Sequence, residues 1–259
     1  MGITRNLTLL LVPLLCLSAC DQSVQPITNL PAGASSVVIV PTIPDTAQIY
    51  NLGVTVFGNH LDEPNIDSWD LLTVIYGASE HVLEPRYKVI EVSPGTNLVD
   101  LGKLMSKDIN EPSTANIVAK SAHLTAPPDL YVLLSPWQPE GAPTPYYLSG
   151  IGLTHVASPW LAPEQPPYVH TMMQVTVING KTMRMLSLIP LQMPPDAGGF
   201  PGGFLSAIVW LPAIQLRGFQ WHNTWAEMTP DEQDLIHTKI DNLLTTSVQF
   251  TLRTALAAN

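Results

Sequence analysis

The chain has 259 residues, 11 of them Lys or Arg and 21 Asp or Glu, for a formal net charge of −10. That balance excludes the basic footprint nucleic-acid binding needs and leaves no polybasic patch to hold anionic lipid by charge alone. Charged residues make up 12%, about half the usual ~25%, and the 25 prolines are near twice the usual ~5%, so the composition is that of a low-charge, loop-rich protein with no repeat at solenoid periods.

The N-terminus has the parts of an export signal. Arg5 and the α-amino group form a short positive start, and Leu9 to Leu17 is almost wholly apolar. A run of about nine residues is too short to span a bilayer, which takes roughly 20, but it suits a secretory signal. Leu17-Ser18-Ala19-Cys20 closes it and resembles the lipobox of bacterial lipoproteins. The resemblance implies cleavage before Cys20, a diacylglyceryl group on its thiol and often acylation of the new amine. Two or more acyl chains make a stable membrane anchor. Asp21 resembles the inner-membrane retention signal of enteric bacteria, a rule that does not hold in every lineage, so the choice of membrane stays open.

With Cys16 lost in the signal, Cys20 is the only cysteine of the mature chain. A structural disulfide within the mature domain, cysteine-ligated zinc and thiol catalysis are therefore excluded. With Arg5 gone as well, ten basic residues face 21 acidic ones. We expect a signal peptide over 1–19, a lipidated N-terminus and flexible tether over 20–36, and one α+β domain over 37–259, long enough to bury a core without covalent staples.

Val37-Val38-Ile39-Val40 predicts a strand buried on both faces. Tyr50, Leu52, Val54 and Val56 alternate with polar or small residues and predict a second strand, ended by Gly58-Asn59 and Pro64. Asp67 or Ser68 caps a helix in which Trp69, Leu72, Tyr76 and Leu83 recur at helical spacing, stopped by Pro85. Tyr87 to Val92 predicts a third strand, helices follow around 98–105 and 113–124, and Leu130 to Leu134 is a continuous apolar run suited to a central strand. This order predicts a mixed sheet with helices packed on it.

The second half predicts an antiparallel extension. Proline-rich loops over 136–146 and 157–167 flank a strand at 147–156. Val169–Ile178 and Met183–Ile189 are joined by Asn179-Gly180, a hairpin signal because both residues accept positive φ. Thr229-Pro230-Asp231-Glu232 is a capping box with proline at the first helical position. Ile236, Ile240, Leu243, Leu244, Val248, Leu252 and Ala255 form the apolar stripe of a long closing helix.

Candidate sites are few. His155 and His170 would share the rim of a hairpin if their strands pair, with Glu164 as a third metal ligand; two polar residues at a sheet edge is the plainer account, and no metal or cofactor is expected. Ser149-Gly150-Ile151-Gly152, inside a strand pattern, predicts a bulge or close backbone approach. No catalytic elbow or Walker lysine is present, and Asp62-Glu63 sits in a turn. Ala197 to Leu216 is unusual: Gly198-Gly199-Phe200-Pro201-Gly202-Gly203-Phe204 is either a flexible loop or an apolar flap, and Ala207–Leu211 suits a buried element. Trp221 and Trp225 flank His222 and Asn223, where loop anchoring is commoner than sugar stacking.

The strand–helix order is similar to that of α/β domains in periplasmic envelope lipoproteins, such as the N-terminal domain of TolB. The similarity implies a binding or assembly role at the envelope. We therefore expect a lipid-anchored, periplasm-facing protein that binds a second envelope protein. A carrier or sensor of an apolar ligand is the first alternative, and an envelope hydrolase the second.

Overall fold

The computed structural model describes residues 26–53, 58–92, 95–107, 109–137, 150–156, 166–194, 196–197 and 212–256. The expected signal segment, Cys20, Glu164 and the expected flap from Gly198 to Phe204 lie outside them. The fold is α+β, as expected: the described residues form a mixed, open sheet of nine strands carrying four α-helices.

The strands are β1 (Ser36–Pro41), β2 (Gln48–Leu52), β3 (His60–Asp62), β4 (Lys88–Glu91), β5 (Leu130–Pro136), β6 (Gly150–Val156), β7 (Tyr168–Asn179), β8 (Met185–Pro190) and β9 (Ala213–Gln215). The helices are α1 (Leu71–Leu83), α2 (Leu98–Lys107), α3 (Ala115–Ser121) and α4 (Pro230–Ala255). Alternation sends Val37, Ile39, Leu130, Val132 and Leu134 to the face covered by α1 and α4, and Val38, Val40, Tyr131 and Leu133 to the face covered by α2 and α3. Both sets are buried, which is why β1 and β5 show unbroken apolar runs rather than alternation with polar residues.

The pairing reduces to five rows. On one edge of β7, β5 pairs as far as Pro136 with Met173, and β6 takes over with Gly150 opposite Met172. On its other edge β8 pairs as far as Gln174, Leu191 donates to the Met173 carbonyl, and β9 resumes with Ala213 opposite His170. Beyond β5 and β6 lie β1 and β2, each parallel to its neighbour, and beyond those lie β4 and β3. Every row except β7 is thus cut at one level, a seam that β7 alone crosses unbroken.

Glycine makes the second half of the sheet possible. A side chain at Gly152 would strike the Gln48 backbone, so only glycine lets β2 lie against β6; this is the close approach expected there.

Two helices cover the larger face. The capping box of α4 is complete: Thr229 Oγ1 accepts from the Glu232 amide, and the Glu232 carboxylate accepts from the Thr229 amide at 2.8 Å. All seven expected stripe residues of α4 are buried. The stripe of α1 differs from expectation. Leu71, Ile75, Ala78 and Leu83 are buried, Leu72 is exposed, and Tyr76 is half-buried with its hydroxyl 3.4 Å from the Ile39 carbonyl. Trp69 belongs to a 3-10 turn (Asp67–Trp69) separated from α1 by Asp70 in the left-handed region, so helical spacing counted from Trp69 carries the wrong phase.

Other expectations also shift. The hairpin between β7 and β8 is not closed by a two-residue turn at Asn179-Gly180: the Asn179 amide donates to the Arg184 carbonyl, and Met183 takes the positive φ of 53°. Gly180 is required instead because a side chain would collide with the Pro128 carbonyl. The strand expected over 50–56 ends at Leu52, with residues 54–57 outside the described set. Part of the expected 20–36 tether is docked: Ile27 is buried in the core, and its amide donates to the Ala255 carbonyl at 2.9 Å.

Asp129 ties one pole together. Its carboxylate accepts from the amides of Ser35 (2.9 Å) and Ser36 (3.1 Å), from the Ser36 hydroxyl (3.0 Å) and from Lys181 Nζ (2.7 Å). The starts of β1 and β5 and the β7–β8 turn therefore share one acceptor. Lys181 and the two serines hold its pKa well below the usual carboxylate range. Because the folded pKa is depressed, this stabilisation is complete above the unfolded value of ~3.9 and is lost as pH falls below it. Asp129→Ala should lower unfolding free energy by roughly 1.5–3 kcal/mol at neutral pH, the range for hydrogen bonds to a charged group. In urea titrations the deficit should shrink at low pH, and a deficit unchanged down to pH 2 would contradict the assignment.

Candidate functional site

The two histidines proposed as a metal pair do not meet. β6 and β7 pair as the hairpin reading required, with Gly152 opposite His170. That register puts His170 and Thr154 on one face, where Thr154 Oγ1 is 3.1 Å from His170 Nε2. His155, one residue further, lies on the other, with Nδ1 3.1 Å from Asn51 Oδ1 and its ring stacked on Trp221 at 5.0 Å. Strand alternation alone separates them. Among the described residues no group of three His, Cys, Asp or Glu side chains is placed to hold a metal ion.

Trp221 and Trp225 anchor the segment leading into α4. Trp221 Nε1 donates to Asn223, which also accepts from Asn51. Trp225 packs at 5.5 Å on Trp69, itself stacked on His237, and the Trp225 amide donates to Asp62 at 2.7 Å. Asp62 thus holds this segment to β3.

The more distinctive geometry is at the seam. β1 leaves the sheet through Thr42-Ile43-Pro44-Asp45, pinned by two hydrogen bonds from Thr42 (amide 2.7 Å, hydroxyl 2.8 Å) to the Leu134 carbonyl. Asp45 O accepts from the Ile66 amide at 2.9 Å, and a side chain at Gly102 would collide with Thr42, so α2 seats directly against this loop. Around β1 the winding reverses: β4 and β5 lie on opposite sides of it, with α1 packed on one face and α2 on the other. Open α/β sheets leave a ligand crevice outside the strand ends at such a point.

Here a cleft of about 260 Å³ opens between the loop after β1 and the first turns of α1 and α2. A groove of about 510 Å³ shares Ile43, Pro44 and Asp45 and continues toward Ser135 and Pro136. The cleft is lined by three carboxylates, Asp45, Asp67 and Asp70, and by no basic side chain. All three acids are exposed. Asp67 accepts from Asn65 Nδ2 at 2.9 Å. Asp70 adopts φ 48°, ψ 38° before α1, yet its side chain makes no capping hydrogen bond. Leu72 and Val99, at 39% and 40% exposure, form apolar lips on opposite helices.

Asp45 and Asp70 were not anticipated from sequence, and Asp67 only as a helix cap. The available signal was a strand buried on both faces running directly into Pro41-Thr42-Ile43-Pro44-Asp45, the pattern of a strand end in an α/β sheet. The arrangement supplies counter-charge and apolar contact, which serve recognition. Comparisons with protein-family models, curated proteins and solved structures found no match for the chain.

His170 gives the molecule a pH dependence of its own. Complete burial lowers its pKa to about 4, against a smaller upward pull from the Gly150 backbone. The unfolded value is ~6.5, so the unfolded state binds more protons between these limits and stability falls as pH drops through that window, by on the order of 3 kcal/mol. His170→Gln, which can still bond Thr154, should flatten the stability–pH curve between about pH 6.5 and 4. An unchanged slope in thermal or urea melts would refute this.

Proposed function

We propose that this is a lipid-anchored cell-envelope protein, facing the periplasm, whose folded domain docks another protein. The Leu17-Ser18-Ala19-Cys20 motif supports the anchor, and no helix among the described residues is long and apolar enough to cross a membrane in its place. The observation that carries the docking role is the open cleft with Leu72 and Val99 on its lips. Exposed apolar residues gathered at a concavity and rimmed by polar groups mark interaction sites. Low overall charge and the acidic balance fit a protein partner and argue against nucleic acid.

The anchor and the partner have separate tests. Cys20→Ala should abolish fatty-acid labelling and release the protein from membranes; persistent labelling would refute lipidation. Amine-reactive crosslinking of the lipidated protein in native membranes should yield one reproducible hetero-adduct. Recovery of uncrosslinked protein alone would count against a partner.

A further inference from the structure

We infer that the seam cleft receives a basic segment of a partner protein, an apolar side chain seated between Leu72 and Val99 and flanked by Lys or Arg facing Asp45 and Asp70. This rests on the docking role proposed above and names the chemistry of the partner.

The charge pattern selects the occupant. The chain is sparing with charge, at 12% of residues, yet three acids line one cleft and no cation lines it; the one cation of the adjoining groove, Lys103, is 3.8 Å from the Asp100 carboxylate. Neither Asp45 nor Asp70 has a side-chain hydrogen bond or ion pair among the described residues. An acidic or phosphorylated segment would meet like charge at every one of these positions. A purely apolar segment would desolvate the carboxylates without replacing their water. A cationic segment satisfies both the acids and the lips.

Asp70 is the most specific element. Its left-handed conformation is one that Gly, Asn and Asp tolerate best, whereas residues that cap a helix through the side chain take extended backbone, so the Asp70 carboxylate is not spent on the helix that follows. Asp70 does not cap α1 through its side chain; only its carbonyl engages, accepting from the Val74 amide at 3.4 Å. Asp70 lines the cleft one residue from Leu71 and two from Leu72, so charge and apolar lip share the start of α1.

The proposal is tested with a benzophenone amino acid placed at position 72 or 99 of the full-length lipidated protein in native membranes, and at Ile117 on α3 as an exposed control. Positions 72 and 99 should give the same protein adduct and position 117 should not. Mapping should place the crosslinked residue next to Lys or Arg in the partner. Asp45→Asn with Asp70→Asn should cut the yield roughly three- to tenfold, as expected for losing two solvent-exposed ion pairs. Raising salt from 0.05 to 0.5 M, which shortens the screening length from about 14 to about 4 Å, should do the same. Asn tolerates the left-handed region, so the double variant should keep its urea midpoint.

An unchanged yield in that variant, a mapped segment without basic residues, an adduct to a second copy of this chain, or an adduct to lipid alone would each overturn the proposal. If the amine-reactive reagent captures a protein while positions 72 and 99 do not, the cleft assignment fails and the docking role stands. If neither captures one, the docking role itself fails.

Discussion

Strand β7 must satisfy hydrogen-bonding partners along both edges for its whole length, and the rest of the architecture is organised by that demand. Its twelve residues, Tyr168 to Asn179, contain no proline, glycine or charged side chain, and nine of them are buried. A proline would remove a ladder donor and a charge would need a partner in the core. Four other rows break at the seam, and each break is tolerated because β7 keeps the two half-sheets in register. Helix α4 reinforces the same constraint by packing its apolar stripe across β7 and β6.

What could be read from the residues follows from how local the physics is. β1 and β5 declare themselves because burial on both faces leaves an unbroken apolar run. The start of α4 is legible because a capping box is completed within four residues. The frame of α1 is not, because one left-handed residue resets the helical phase and Asp70 carries no sign of it that Trp69 and Leu72 do not contradict. The hairpin after β7 is legible but its turn is not, for a related reason: Gly180 answers to the backbone of Pro128, some fifty residues earlier, rather than to its own turn. The seam was invisible, since it depends on Pro136 and Gly150 finding adjacent partners, and nothing near either residue specifies that.

The candidate site inherits the same logic. His155 and His170 invited a shared role through their spacing around a loop, and strand alternation assigns them to opposite faces. Asp45, Asp67 and Asp70 are separated by up to 25 residues and belong to three different local structures, yet the exit of β1 and the start of α1 bring them to one cleft. In a doubly wound sheet the crevice at the reversal point is open and deep. Here β2 and β6 extend the sheet past the ends of β1 and β5, so the crevice is narrowed to a cleft with helix starts for lips. Such a shape suits the contact of a few side chains rather than enclosure of a whole molecule.

The handover from β5 to β6 has a consequence for how this sheet tolerates change. Pro136 and Gly150 pair with neighbouring residues of β7, and Leu191 and Ala213 rejoin the opposite edge only three positions apart. The number of residues between each pair is therefore decoupled from strand register. Chain could be added or removed between them without displacing a single cross-strand partner. The scaffold behaves as a frame with two ports on either side of one continuous strand, through which new surface can be grafted while the hydrogen-bonded lattice stays the same.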